Sequence, residues 1–379
     1  MNILHLSHTD IRVDSRILKE MHSINLSNDL YKVSGIGISK HKNISTSNNM
    51  NGLHIDSINI RSLRFTFLAK MKVLIIIPER VFKMLFKAIK LKPKIIHCHD
   101  DIVLLVGIFL KFFTGAKIIY DAHELESNKN GISKISSKLI FYKEFFLWKY
   151  IDALIVVSPS IEKWYKDNMG EKQSEIILNS PIVGKDISSI SNDYFRKYFS
   201  IPKYSKIFLY IGMLTNGRGI ELIIEAFKRN DVKSSLVFLG SGDLSEELEE
   251  IAQKYPNIYV HDVVSHEKVV SIAKSADVGL CFIENVSLSD YYCLPNKLFE
   301  YVFSGIPVLA SDFPDISKII EKYNLGKCSN LDTEGIYSTI KEFEKMDNIP
   351  IIETKKIYEL SWEAQEKKLI KLYEMLIKD

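Results

Sequence analysis

Short apolar runs alternate with helical patterns twice along this chain, and that doubled rhythm limits the fold more than any other feature. In the first half, strands are expected at Ile3–Ser7, Tyr31–Ile38, Leu53–Ile60, Ile95–His99, Ala116–Tyr120 and Ala153–Ser158. Turn residues or a helix follow each, which is the pattern of a parallel, doubly wound α/β sheet. Asn179-Ser-Pro-Ile-Val-Gly184 ends the run, and the polar stretch Lys185 to Lys206 marks a domain boundary. The alternation then restarts, with strands near Ile207–Ile211, Ser235–Leu239, Ile258–His261, Val278–Phe282 and Pro307–Ala310. Helices are expected between them, for example Gly219–Lys228, Ser245–Lys254 and Lys268–Lys274. The 379 residues suffice for two such domains. Two such sheets facing each other would hold a ligand in a central cleft, where the carboxyl ends of their strands meet. A closing amphipathic segment from Trp362 to Leu376 needs a surface to cover.

Charge is uneven. Residues 1–180 hold 26 Lys and Arg against 17 Asp and Glu, in a chain whose net charge is only +3. Much of the excess lies between Arg61 and Lys94, where ten basic residues meet one acid, Glu79. Val81, Phe82, Met84, Leu85, Phe86, Ile89 and Leu91 interleave with them, as in a basic amphipathic helix resting on anionic lipid. A weaker version spans Ile132 to Tyr150. No nucleic-acid recognition motif accompanies this charge. Ile102 to Phe113, broken by Lys111, reads as a buried helix, and no apolar run is long enough to span a bilayer. The start lacks a basic leader and a cleavage site. Cys98, Cys281, Cys293 and Cys328 are scattered without metal spacing, so a reducing cytoplasm is expected.

Three segments carry candidate chemistry. Tyr210-Ile-Gly-Met-Leu-Thr-Asn-Gly-Arg-Gly219 reads as a strand, a glycine loop and a helix start. Gly212, Gly217 and Gly219 let backbone approach a ligand, and Arg218 offers a forked cation suited to a diphosphate. Gly240 and Gly242 follow the next strand in a second tight turn, which serves either packing or a ligand. Leu294 to Ser311 reads as a loop, a helix from about Asn296 to Phe303, a Gly-Ile-Pro turn and a buried strand. Pro295 before that helix leaves backbone N–H groups for an anion, and Glu300 sits one turn further in. In the first half, His97, His99 and His123 fall at strand ends, and Asp14 and Arg16 lie in the first strand-to-helix loop. Asp14 and Arg16 are read either as an ion-paired helix cap or as contacts to acceptor or donor phosphate.

Taken in order, these segments resemble the group 1 (family 4) retaining glycosyltransferases of GT-B fold. The matches are Asp14-Ser-Arg16, Ile95-Ile-His-Cys-His-Asp100, Tyr120-Asp-Ala-His-Glu124, Val156-Val-Ser158, Asn179-Ser-Pro181, the loop with Arg218, Gly240-Ser-Gly242, Val278–Phe282, Leu294–Ser311 and Ser361-Trp-Glu363. Pro295-Asn-Lys-Leu-Phe-Glu-Tyr301 is similar to a subgroup common among bacterial surface-polysaccharide enzymes. The resemblance implies two Rossmann-like domains, residues 1–182 on the acceptor side and 183–355 on the donor side, with residues 356–379 crossing back to the first. It implies that Glu300 binds the donor ribose, Arg218 the diphosphate, and His123 the donor sugar, with Glu124 orienting His123 or acting on the acceptor. Met213, Asn216, Tyr292, Pro295, Asn296, Lys297 and Leu298 complete the expected donor-binding set, and His99 joins Asp14 and Arg16 on the acceptor side. Two positions depart from the pattern. Tyr292 stands where the family has its first glutamate, and Met213 where it often has an arginine, a charge that Lys297 could replace.

The expected activity is therefore retaining transfer of a sugar from a nucleotide donor, a UDP-sugar foremost, to a lipid-linked or polysaccharide acceptor. Catalysis should fall to His123, Glu124, Arg218 and Glu300, with no metal or other cofactor. The protein would work in the cytoplasm, peripheral on the inner membrane face. A sugar-nucleotide epimerase and a non-catalytic partner subunit are the alternatives.

Overall fold

The computed structural model describes residues 1–39, 46–50, 52–60, 72–182 and 190–378. Arg61, Arg64 and Lys70 of the basic segment, and the start of the expected linker at 183–189, lie outside these. The chain forms two compact units. The first holds residues 1–177 and 366–379, the second 178–365.

In the first unit, β1 (Asn2–Leu6), α1 (Ser15–Ser27), β2 (Lys32–Ile38), β3 (Thr46–Met50) and β4 (Leu53–Ile58) lead to α2 (Lys72–Ala88). Then come β5 (Ile95–His99), α3 (Asp101–Thr114), β6 (Lys117–Ala122), α4 (Lys134–Leu147), β7 (Ala153–Val156), α5 (Pro159–Met169) and β8 (Gln173–Ile176). The sheet order is β3-β4-β2-β1-β5-β6-β7-β8, parallel except where β3 pairs antiparallel with β4. Side chains fix the helix starts. Asp14 caps α1, Ser133 caps α4, and Ser158 with Pro159 opens α5.

The second unit runs through α6 (Tyr194–Phe199), β9 (Ile207–Ile211), α7 (Ile220–Phe227), β10 (Ser235–Leu239), α8 (Ser245–Lys254), β11 (Ile258–His261) and α9 (His266–Ala273). It continues with β12 (Val278–Cys281), α10 (Leu288–Tyr291), α11 (Asn296–Ser304), β13 (Val308–Ser311), α12 (Pro314–Tyr323), β14 (Gly326–Ser329) and α13 (Thr333–Lys345). Its all-parallel sheet is ordered β11-β10-β9-β12-β13-β14. Every residue of β9, β10, β12 and β13 is buried, as parallel strands covered on both faces require. Phe208, Phe227 and Phe343 meet edge to face beneath them. Removing one such ring would cost about 3–5 kcal/mol.

The last helix, α14 (Trp362–Lys378), begins in the second unit, and its residues from Glu366 on belong to the first. Ser23 donates to Glu366 at 2.7 Å and Lys368 to the Ile176 carbonyl at 3.2 Å. The units divide after Ile177 rather than after Ile182, and the Leu178 N–H donates to the Gln365 side chain within the second unit. Residues 356–361 likewise stay with the second unit, in a 3-10 turn before α14.

In both sheets the first strand has neighbours that lead the chain opposite ways. β1 lies between β2 and β5, and β9 between β10 and β12. Loops diverge at the carboxyl ends of such pairs and leave room for a ligand.

The basic surface is more aromatic than its sequence suggests. On α2, Met84 and Ala88 are buried, whereas Phe82 and Phe86 are exposed and stacked. Lys83 pairs with Glu79 and Lys87 with Asp56, so part of the expected charge is spent within the unit. α3 packs against α2 and α4. It is not wholly buried as expected, because Phe109, Phe112 and Phe113 face outward. Ile135, Leu139, Tyr142, Phe145 and Phe146 do the same on α4.

Candidate functional site

In the second unit the site is built at the carboxyl ends of β9 and β12. β9 delivers the loop Gly212 to Gly219. Gly212 has φ +129, and a Cβ added there would meet nothing within 4 Å. Met213 and Asn216 are exposed beside it. Gly219, at φ +70, starts α7, and its N–H donates to Glu284 at 3.0 Å. Arg218 is one-third exposed and reaches Asp290 only at 4.0 Å. Gly240 and Gly242 have a packing reason. A Cβ on either would lie 1.9 Å from the Gly212 carbonyl or 2.2 Å from that of Leu214. These two glycines let one loop rest on the other, and that contact accounts for them without a ligand.

α11 supplies the other side. Pro295 precedes it with no side-chain cap, and Gly305 at φ +89 ends it, as the spacing predicts. All of Lys297 to Ser304 is buried. The Lys297 ammonium donates to the Phe282 carbonyl at 3.0 Å and lies 4.2 Å above the Tyr210 ring. Burial pulls its pKa down to about 8, with neighbouring Arg218 acting the same way and Cys281, Cys293 and Glu300 opposing. Two cations thus share one place where β9 and β12 diverge. Glu300, one turn on, is 7% exposed and lies 3.6 Å from His266. His266, Glu284 and Asp290 are site residues that the sequence reading missed, since no local spacing marks them. Tyr292 ends α10 against Tyr291. Leu298 is core.

In the first unit the chemistry gathers where β1 meets β5. His5, His97 and His99 are fully buried and stack at 4.3–5.2 Å between ring centres. His123, one-fifth exposed, stands at their open end. It lies 2.9 Å from Asp121 and 3.7 Å from Asp100. Burial opposes its charge, but the Asp100 and Asp121 carboxylates outweigh burial and raise its pKa to about 10. His123 is therefore an imidazolium at neutral pH, able to donate from a fixed direction. Asp100 has φ +66 and ψ 166, a conformation nearly restricted to glycine. That strain turns its carboxylate toward His8, at 3.4 Å, and His123. Asp101 turns away and pairs with Lys143.

The acceptor-side expectations need correction. Arg16 is 4% exposed and bound to Asp121 at 2.9 Å and Glu20 at 3.1 Å, so it cannot reach an acceptor. His99 has no exposed surface. Asp14 is a helix cap, accepting from Ile17 at 3.2 Å. Glu124 remains exposed beside His123. Among the described residues, His5, Glu20, His97 and His99 have the spacing of metal ligands, as do His99, Asp121 and His123. Arg16 already supplies the positive charge on both carboxylates.

Residues 205–343 match the family model described as glycosyl transferases group 1, and residues 45–180 that of glycosyltransferase family 4. An uncharacterised glycosyltransferase of Methanocaldococcus jannaschii is 27% identical over 258 residues, 62% of this chain and 60% of that relative's length. The chitobiosyldiphosphodolichol beta-mannosyltransferase of Candida albicans is 24% identical over 253 residues, 60% of this chain and 54% of its own. The sucrose-phosphate synthase of Thermosynechococcus elongatus superposes with a TM-score of 0.79 at 17% identity over the whole of both chains. Anabaena HepE, solved with UDP-glucose, does so with 0.74 at 11% identity, over 99% of this chain and all of its own. The chain therefore has the GT-B fold, with a match to glycosyltransferase family 4 in its first unit and to the group 1 glycosyl transferases in its second.

Proposed function

We propose that this protein transfers a sugar, with retention, from a UDP-sugar to a lipid-linked or polysaccharide acceptor in bacterial surface-glycan synthesis. The observation that carries the donor half is the meeting of Arg218, Lys297 and the start of α11 where β9 and β12 diverge. Two cations and a helix N-terminus suit a diphosphate that leaves with extra charge. The bond from the sugar's anomeric carbon to the β-phosphate oxygen breaks, and its electron pair stays on the phosphate. The acceptor oxygen bonds to the same face of the sugar and gives its proton to the leaving phosphate. With Arg218 and Lys297 present, no metal is needed for that charge. Glu300 holds the ribose hydroxyls, and in the first unit His123, as an imidazolium beside Glu124, is a hydrogen-bond donor suited to a sugar.

Other observations favour the finer points. HepE was solved with UDP-glucose, which supports a uridine donor. The Candida relative is named for a lipid-linked acceptor, and the exposed aromatic surface of α2, α3 and α4 suits a membrane-held one. No helix among the described residues is long and apolar enough to cross a membrane, so contact would be peripheral. A thermal-shift screen of UDP, GDP, ADP and dTDP, with and without EDTA, tests the donor half. UDP should raise the melting temperature most, and EDTA should not matter. No response to any nucleotide refutes the reading. Conversion of a UDP-sugar without acceptor points to an epimerase instead.

A further inference from the structure

The buried histidines of the first unit form a chain whose protons can be placed one by one. His5, His97 and His99 are neutral, since burial pulls each pKa below the usual imidazole range. Each then has one N–H and one lone pair. The chain ends at Asp121, which can only accept. His99 Nδ1 lies 3.2 Å from Asp121 Oδ2, so it carries the proton and leaves Nε2 as an acceptor. His5 Nδ1 lies 3.0 Å from that Nε2 and must donate to it. His5 Nε2 is then a lone pair, 3.3 Å from the Tyr373 hydroxyl, which must donate in turn. With its proton given to His5, the same hydroxyl oxygen accepts from His97 Nδ1 at 2.7 Å; His97 Nε2 then faces Asp121 at 3.5 Å and Glu20 at 3.7 Å, and burial raises the Glu20 pKa to about 8, so that carboxyl is the group that holds a proton there. Every proton in the series points one way, toward the carboxylate that also receives His123 Nε2 at 2.9 Å.

We propose that Tyr373, on the returning helix α14, is a positioning residue that, with Asp121 at the other end of the series, locks the tautomers of His97, His5 and His99 and thereby holds Asp121 against His123. The step from His123 to turnover rests on the transferase reading above. Tyr373 is fully buried, and its hydroxyl is the link in the series that both receives and supplies a proton without being an imidazole. Without it, Asp121 alone orients the series from its far end, His5 Nε2 loses its donor, and the opposite tautomers of His5 and His99 become populated. His99 Nδ1 would then offer a lone pair to His123 Nε2, 3.2 Å away, and compete with Asp121 for its proton. The closing helix is thus wired to the one histidine of the cluster that reaches the surface.

The test is ¹⁵N spectroscopy of the whole protein, selectively labelled at histidine, beside Tyr373→Phe. In the wild type at pH 7.5, His5, His97 and His99 should all be Nδ1–H tautomers, the minority form of free imidazole, and His123 doubly protonated. In Tyr373→Phe, His5 and His99 should shift toward Nε2–H. Turnover should fall by about 10- to 100-fold, with a displaced pH–rate limb and unchanged UDP affinity. An Nε2–H tautomer at His5 or His99 in the wild type overturns the proposal, and that measurement needs no variant to fold. Unchanged tautomers in Tyr373→Phe overturn it as well. Tautomers that respond as expected in a protein without transferase activity would sink the functional reading and leave the wiring intact.

Discussion

Lys297 is a buried cation that the fold pays to keep. Its pKa falls from 10.5 to about 8, so at neutral pH its charge costs about 3 kcal/mol relative to the unfolded chain. The sign follows from the direction. A folded pKa below the unfolded one gives the full cost below pH 8 and relief as pH rises from 8 to 10.5. Lys297→Met removes that cost but also the bond to Phe282 and the contact with Tyr210, together about 1–2 kcal/mol. The variant should therefore be more stable than the wild type at pH 7 by about 1–2 kcal/mol. A residue that harms stability in this way is held for what it binds.

Binding reverses the sign. A diphosphate beside the ammonium lifts its pKa back toward 10.5, so UDP binding takes up a proton near pH 8. Affinity should fall about 20- to 30-fold between pH 7 and 9.5 if the lift is complete. Calorimetry in buffers of different ionisation enthalpy reads the uptake directly, about half a proton per UDP at pH 8. Work at pH 7.5 and above keeps the terminal phosphate ionised, so Lys297 dominates the signal. Lys297→Met should bind UDP about 10- to 100-fold more weakly at pH 7.5, with no proton uptake. Wild-type affinity that stays flat to pH 9.5, or a Met variant less stable than the wild type, refutes the reasoning.

Asp100→Gly should relieve about 1–2 kcal/mol of backbone strain while lowering the pKa of His123. His123 adds stability below pH 6.5 that is lost as pH rises through about 10, so thermal unfolding of the variant should show a weaker alkaline loss. Its turnover should fall. Gly279→Ala would put a methyl 2.2 Å from the Tyr301 ring, whose hydroxyl accepts from Ile211 and donates to Leu280. A loss of about 1–3 kcal/mol in urea unfolding, with weaker UDP binding, is expected. Phe82→Ser with Phe86→Ser should reduce sedimentation with anionic liposomes by about tenfold per ring. High salt should reduce it less than that. Wild-type protein that stays in the supernatant at low salt removes the membrane reading.

How far the sequence could be read depended on where each residue's reason lies. β9 and β10 were legible because strands buried on both faces read as unbroken apolar runs. β3, β8 and β14 escaped notice, since an edge strand such as Thr46–Met50 needs little apolar character. Arg218, Lys297 and Glu300 could be singled out as candidates because a loop and one helix carry them, and their spacing is local. The histidine chain was not, because its order depends on register across the sheet. β1 and β5 pair with His5 opposite His97, and a slip of one residue would turn one ring to the other face. That register is held by Ile3, Leu4, Leu6, Ile95, Ile96 and Cys98, all buried. The histidines then meet as a consequence of apolar neighbours that carry no sign of the chemistry they align. Tyr373 sits more than 270 residues beyond His97, on a helix whose amphipathic spacing spoke only of burial. Its hydroxyl acquires a role only once the sheet has set the two lone pairs and protons it must join.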